Sequence, residues 1–184
     1  MLTLGVLVVL MVVFALLRGG SLESLANTRF RMPWLLFAGL GVQLAADLSA
    51  PAWLEGAAGV AVIIVTNLAV ATFLFLNRSY AGTGLAAIGL LLNILVISAN
   101  GAMPVNPRAV RDADITESIE DAGIKHEIMD DDTVLPWLGD TIGIPYIREL
   151  LSLGDVVLAL GIARLVYARM TVEGSRGRHS IGSA

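Results

Sequence analysis

Residues 59–76 read GVAVIIVTNLAVATFLFL, a run that is apolar nearly all the way round a helix. A helix on the surface of a soluble domain shows an apolar stripe and an opposite polar face. This run has no such face. A bilayer core takes a helix of about 20 mostly apolar residues, within a range of about 17–25. Extended back to Trp53, the run covers residues 53–76, and four further apolar stretches lie at 2–17, 34–48, 82–99 and 150–167. The pattern predicts an all-α fold: an integral membrane bundle of five transmembrane helices with one long extracytoplasmic loop, residues 100–149, containing a short helix. Residues 1–168 then form a single membrane domain. Residues 169–184, polar and rich in glycine and serine toward their end, are expected to be a disordered cytoplasmic tail.

Composition supports this class. Hydrophobic residues make up 56% of the chain and charged residues 15%, against about 25% charged in ordinary soluble domains. The charges crowd the segments between apolar runs. The chain has no cysteine, which excludes disulfides, thiolate metal sites and cysteine nucleophiles together.

The basic residues set an expected orientation. Lysine and arginine near span ends favour the cytoplasmic side. Arg18, Arg29 and Arg31 follow the first span, Arg78 follows the third, and Arg169, Arg176 and Arg178 follow the last. They alternate correctly for five spans with the N-terminus outside and the C-terminus in the cytoplasm. Nothing basic precedes the first apolar run, the reverse of a cleaved signal peptide, so a retained helix is expected. Ser21 to Asn27 has the serine start and spaced leucines of a short interfacial helix.

Lipid offers polar side chains no partners, so those inside spans face other helices or line a cavity. Asp155 in the last span is the strongest case. Gln43 and Asp47 lie four apart on one face of the second span. Gly82, Ala86, Gly89, Asn93, Val96 and Asn100 form one stripe of mostly small or amide residues along the fourth, a pattern suited to close helix approach. Thr66 and Asn67 lie near the middle of the third. With the orientation above, Gln43, Asp47, Asn93, Asn100 and Asp155 all fall in the outer half of the bilayer. The expectation is a polar pocket there. The alternative is that these groups satisfy one another as interhelical packing.

The outer loop adds candidates. Asn106 before Pro107 suits a helix start, and a short exposed helix is expected from Arg108 to Ala122, ended by Gly123. Asp130, Asp131 and Asp132 are hard oxygen ligands, but consecutive residues do not converge on one ion, and the spacing of a calcium loop is missing. No metal site is assigned. His126 beside Glu127 could act as an acid–base group, though no nucleophile accompanies it. Trp137 is expected at the membrane surface, with Asp140 close after it.

The segments Asn93 to Gly101, Met103-Pro104, His126, Asp131-Asp132-Thr133, Leu135 to Asp140 and Gly154-Asp155, with Arg18 to Leu22 and Arg29-Phe30-Arg31, resemble a bacterial membrane-protein family carried as a domain of unknown function. The resemblance covers nearly the whole chain. It implies an integral membrane fold of several helices and a bacterial origin, and brings no activity, cofactor or catalytic residue; the expected location is the bacterial plasma membrane.

Walker, dinucleotide-binding and nucleophile-elbow motifs are absent. No aromatic and basic surface points to nucleic acid. Three functions stay open. The first is a non-catalytic component binding membrane lipids, a small apolar ligand or a partner membrane protein. The second is a small membrane-embedded enzyme acting on a lipid or isoprenoid. The third is a transporter subunit.

Overall fold

The computed structural model describes residues 2–49, 56–115 and 126–179. Trp53, the expected helix residues beyond Ile115, Lys125 and residues 180–184 lie outside the described residues. The chain is mostly helical. The helices are α1 (Leu2–Leu17), α2 (Leu22–Ala26), α3 (Trp34–Ser49), α4 (Ala57–Leu76), α5 (Thr83–Asn100), α6 (Pro107–Asp112) and α7 (Leu153–His179).

The expected all-α architecture needs correction. A four-stranded sheet fills the segment read as a loop, with β1 (Met103–Val105), β2 (His126–Ile128), β3 (Asp140–Ile144) and β4 (Glu149–Ser152) in the order β2-β1-β3-β4. β1 runs parallel to both β2 and β3, and β3 and β4 form an antiparallel pair. The apolar run at 150–167 is therefore split. Leu150-Leu151-Ser152 belong to β4, and α7 begins at Leu153. A short apolar stretch has no period that separates strand from helix. Here pairing of Leu151 with Ile142 and Leu150 with Gly143 decides it.

Five transmembrane helices are also more than length alone supports. Two helices, Ala57–Leu76 and Thr83–Asn100, are long and apolar enough to cross a membrane. α1 and α3 have 16 residues each, about 24 Å of helix, against a hydrocarbon thickness of about 30 Å. At the other end of the chain, the helix expected to stop near Tyr167 continues through His179. Met170 is fully buried against α1, and a nucleated helix extends at little cost.

The helices are held by small residues. Gly82, Ala86 and Gly89 of the α5 stripe lie against α7. A Cβ on Gly89 would overlap the Leu158 backbone nitrogen, and one on Gly161 would overlap the backbone of Ala86. Such contact lets two backbones approach and collects dispersion energy that bulkier residues would prevent. α5 starts from Gly82 at φ 93° and ends at Gly101 at φ 79°, left-handed conformations that glycine adopts without a Cβ penalty. α3 meets α4 through Gly39 beside Thr66 and Val70. α1 meets α7 through Ala15, Val166 and Met170.

The sheet packs on the end of this bundle formed by the N-termini of α4 and α7 and the C-terminus of α5. Met103 and Leu138 join Val96 and Ile97 in one buried cluster. Asn106 opens α6 by accepting from the Arg108 N–H at 2.8 Å. α6 ends at Asp112, ten residues short of the expected Ala122. Ala109 of α6 seats β3, because Gly143 approaches its carbonyl oxygen.

Candidate functional site at the sheet–bundle junction

The expected outer pocket is three separate polar groups. Gln43 donates from Nε2 to Thr66 Oγ1 and to Asn67 Oδ1, each at 2.9 Å, across α3 and α4. Asn100 holds the loop at Val134. Its Nδ2 donates to the Val134 carbonyl at 2.9 Å and its Oδ1 accepts from the Val134 N–H at 2.8 Å. Asn93 and Asp155 form the third group. Asp47 lies in α3, and its side chain is outside the described residues. A shared expected depth does not imply contact, and here Gln43 and Asn100 each find nearer partners.

Asp155 sits in the first turn of α7, nearer the helix start than the apolar run implied. Its N–H donates to Ser152 Oγ at 3.0 Å, and its Oδ2 accepts from the Ser152 N–H at 3.0 Å. This reciprocal exchange is a capping box, in which a serine and an acid three residues on satisfy each other's backbone donors. The carboxylate at a helix N-terminus also faces the positive end of the helix dipole. Asn93 Nδ2 completes the arrangement by donating to Asp155 Oδ1 at 2.7 Å. Ser152 Oγ lies 2.9 Å from Asn93 Oδ1 and 2.8 Å from Asp155 Oδ2. Gly154 leaves the room for this, since a Cβ there would overlap the Asn93 side-chain oxygen. Ser152 was missed by sequence reasoning, although the spacing Ser152-Leu153-Gly154-Asp155 before an apolar run is the signature of such a cap.

The sheet carries a second buried acid. Asp140 pairs directly with Ser152 in the β3–β4 register, so the two side chains share one face of the sheet. Asp140 is 3% exposed. Its Oδ2 lies 3.4 Å from His126 Nε2, while its Oδ1 is buried with no hydrogen-bond partner. Loss of water pushes the Asp140 carboxyl above its ordinary value. His126 opposes this through its hydrogen bond and charge, and the nearby charge of Asp155 adds to it. The polar groups thus run in a row from the half-buried His126, through Asp140 and Ser152, to Asp155 and Asn93 between the helices.

His126 also stands on the wall of an open cleft of ≈ 510 Å³. Ala57, Val60 and Ala102 give it apolar surface, and Asn100, His126 and Glu127 give it polar edges. Asp130 faces elsewhere. Its Oδ1 accepts from the Asp132 N–H at 3.1 Å and from Thr133 Oγ1 at 3.0 Å, which closes a local turn. Asp130 and Asp132, with Glu127, line a smaller adjoining cleft, and Asp131 is exposed. Among the described residues no group of three acidic or imidazole side chains is placed to hold a metal ion. Trp137, in a 3-10 turn at Pro136–Leu138, is 59% exposed beside the buried Leu138.

No curated protein and no solved structure matches the chain. A family model does, over residues 27–167. That range runs from the end of α2 to Tyr167 of α7 and contains every polar group of the junction. The chain belongs to the family of unknown function DUF5317.

Proposed function

We propose that the chain is a multi-pass integral membrane protein, its five long helices crossing or entering the bilayer, with a non-catalytic binding site on the outer sheet at His126 and Asp140. One observation carries the binding reading: a buried carboxylate, with one oxygen left unpaired, stands beside the half-buried imidazole that edges an open cleft. A buried unsatisfied polar atom costs about 1–3 kcal/mol. A group bound at the cleft that draws His126 or Asp140 into new hydrogen bonds would recover part of that. The mixed lining suits a small, mostly apolar ligand with a polar end, or an apolar side chain of a partner membrane protein.

The membrane reading draws support from exposed apolar surface. Phe37 is 71% exposed, Leu48 80% and Val65 64%, and these residues lie on helices with few or no charges. Contiguous apolar surface of this kind in water would be an aggregation site. Helices shorter than the bilayer core are accommodated by local thinning and by anchoring residues at their ends.

Binding is favoured over transport by the α5–α7 seam. Inward from Asn93, the backbones of Gly89 and Gly161 meet the facing helix directly, which closes this seam to a solute. The test is purification in mild detergent with mass spectrometry of co-purifying lipids, metabolites and proteins, for the wild type and for His126→Ala. A bound species lost in the variant supports the reading. A clean wild-type protein with nothing bound overturns it.

A further inference from the structure

We infer that the end of the bundle opposite the sheet is a preorganised site for anionic phospholipid headgroups, built on Arg29, Arg31 and Arg78. The inference rests on the membrane reading above but not on the binding site at His126.

The side chain of the buried Asn77 holds this end together. Asn77 Oδ1 accepts from the Arg31 N–H at 2.8 Å, and its Nδ2 donates to the Arg31 carbonyl at 3.0 Å. Tyr80 Oη donates to the Arg29 carbonyl at 2.6 Å. Phe30, between these two arginines, packs against the rings of Phe73 and Tyr80. The backbone of the loop is therefore fixed by three hydrogen bonds and by the packing of Phe30, while the Arg29 and Arg31 side chains are exposed. Arg169 closes the platform. Its Nε donates to Thr28 Oγ1 at 2.9 Å and its guanidinium lies 5.1 Å from the Tyr80 ring centre.

The charge at this end is one-sided. Arg29, Arg31 and Arg78 have no carboxylate within ion-pair distance among the described residues, and Glu23 is the nearby described acid on α2. The sheet end is mixed, with Arg108, Arg111 and Arg148 beside Asp112, Asp114, Glu127 and the Asp130 turn. Unpaired guanidinium groups match phosphate oxygens in a bidentate fork. A loop held in place before binding loses little entropy on engaging a ligand. Each arginine near an anionic membrane surface is worth about a fivefold gain in association, equivalent to about 1 kcal/mol. A bilayer headgroup is favoured over free phosphate because α1, α3 and α4 bring their apolar, exposed faces to the same level.

The protein reconstituted in bilayer discs of equal phosphatidylcholine and phosphatidylglycerol is released into detergent, and its retained lipids are measured by native mass spectrometry. The wild type is expected to retain phosphatidylglycerol preferentially. Arg29→Gln/Arg31→Gln/Arg78→Gln is expected to lose that preference by on the order of tenfold or more, with unchanged circular dichroism because the fold uses the Arg29 and Arg31 backbones. Should the triple variant fold poorly, the wild-type preference is read against rising salt, which must weaken it. Equal retention of both lipids, or full displacement by inorganic phosphate alone, overturns the headgroup assignment. Release of the protein from membranes by alkaline carbonate overturns the membrane reading itself, a separate outcome.

Discussion

Asn93 on α5 and Asp155 on α7 are joined at 2.7 Å at a point where Gly154 leaves no space for any side chain between them. The bond ties the sheet to the bundle, because Asp155 in turn holds the N–H of Ser152, the last residue of β4. Replacing Asn93 with Leu leaves Asp155 and Ser152 short of a partner in a buried setting. The expected loss is about 1–3 kcal/mol, read as a lower melting temperature in detergent. A melting temperature equal to the wild type would remove this bond from the account of stability.

The glycine seam makes a graded prediction. Gly154→Ala and Gly89→Ala place a methyl group where backbone or Asn93 already stands, whereas Gly84→Ala meets nothing within 4 Å. The first two are expected to destabilise by at least the roughly 1–3 kcal/mol typical of overpacking, and the third to be neutral or slightly stabilising through helix propensity. Equal effects in all three would mean α5 and α7 are not in contact.

Asp140 predicts a direction of pH dependence. Its carboxyl is raised above the ordinary 3.8 by burial, against the pull of His126. A folded state that binds its proton more tightly than the unfolded chain gains most at low pH, and that contribution fades as pH rises from near 4 through the folded pKa. Asp140→Asn is expected to flatten the melting-temperature profile across this interval. A profile as steep as the wild type would assign the dependence to other groups.

Asn77→Leu removes both side-chain bonds to Arg31 as well as its bond to the Phe73 carbonyl. The loop at 27–33 is expected to become susceptible to proteolysis, with a stability loss of about 2–4 kcal/mol for several buried bonds together. Limited proteolysis with mapped cleavage sites checks this.

The native chain has no cysteine, so single cysteines report topology without background. Glu127→Cys on the sheet and Ser79→Cys beyond α4 are both at exposed positions. In intact cells a membrane-impermeant maleimide is expected to label the first and to reach the second only after permeabilisation. The reverse pattern would invert the orientation.

Much of the helical framework was legible because hydropathy alone marks long apolar runs. The stripe from Gly82 to Asn93 was legible too, since spacings of three and four define a helix face. It proves to be the face packed on α7. The sheet was not legible. β1 and β2 have three residues each, and their partners are distant in sequence, so no local pattern announces them. Leu150 and Leu151 read as the start of the last helix because apolar residues resume directly after Ser152. The link of His126 to Asp140 depends on both flanking β1, a pairing that only the folded sheet supplies. Asp155 looked anomalous only while it was assigned to the interior of a span. At a helix start, three residues after a serine, it has an ordinary structural reason to be there.

β4 ends at Ser152 and α7 begins at Leu153, with no loop residue between them. A helix of 27 residues is a rod about 40 Å long, and its cap bonds resist bending at the joint. Whatever tilts the strand layer must therefore swing the rod about 25 Å further along, where Met170 is wedged against α1 and Arg169 rests on Tyr80. The two faces of the molecule are coupled mechanically by one stiff lever.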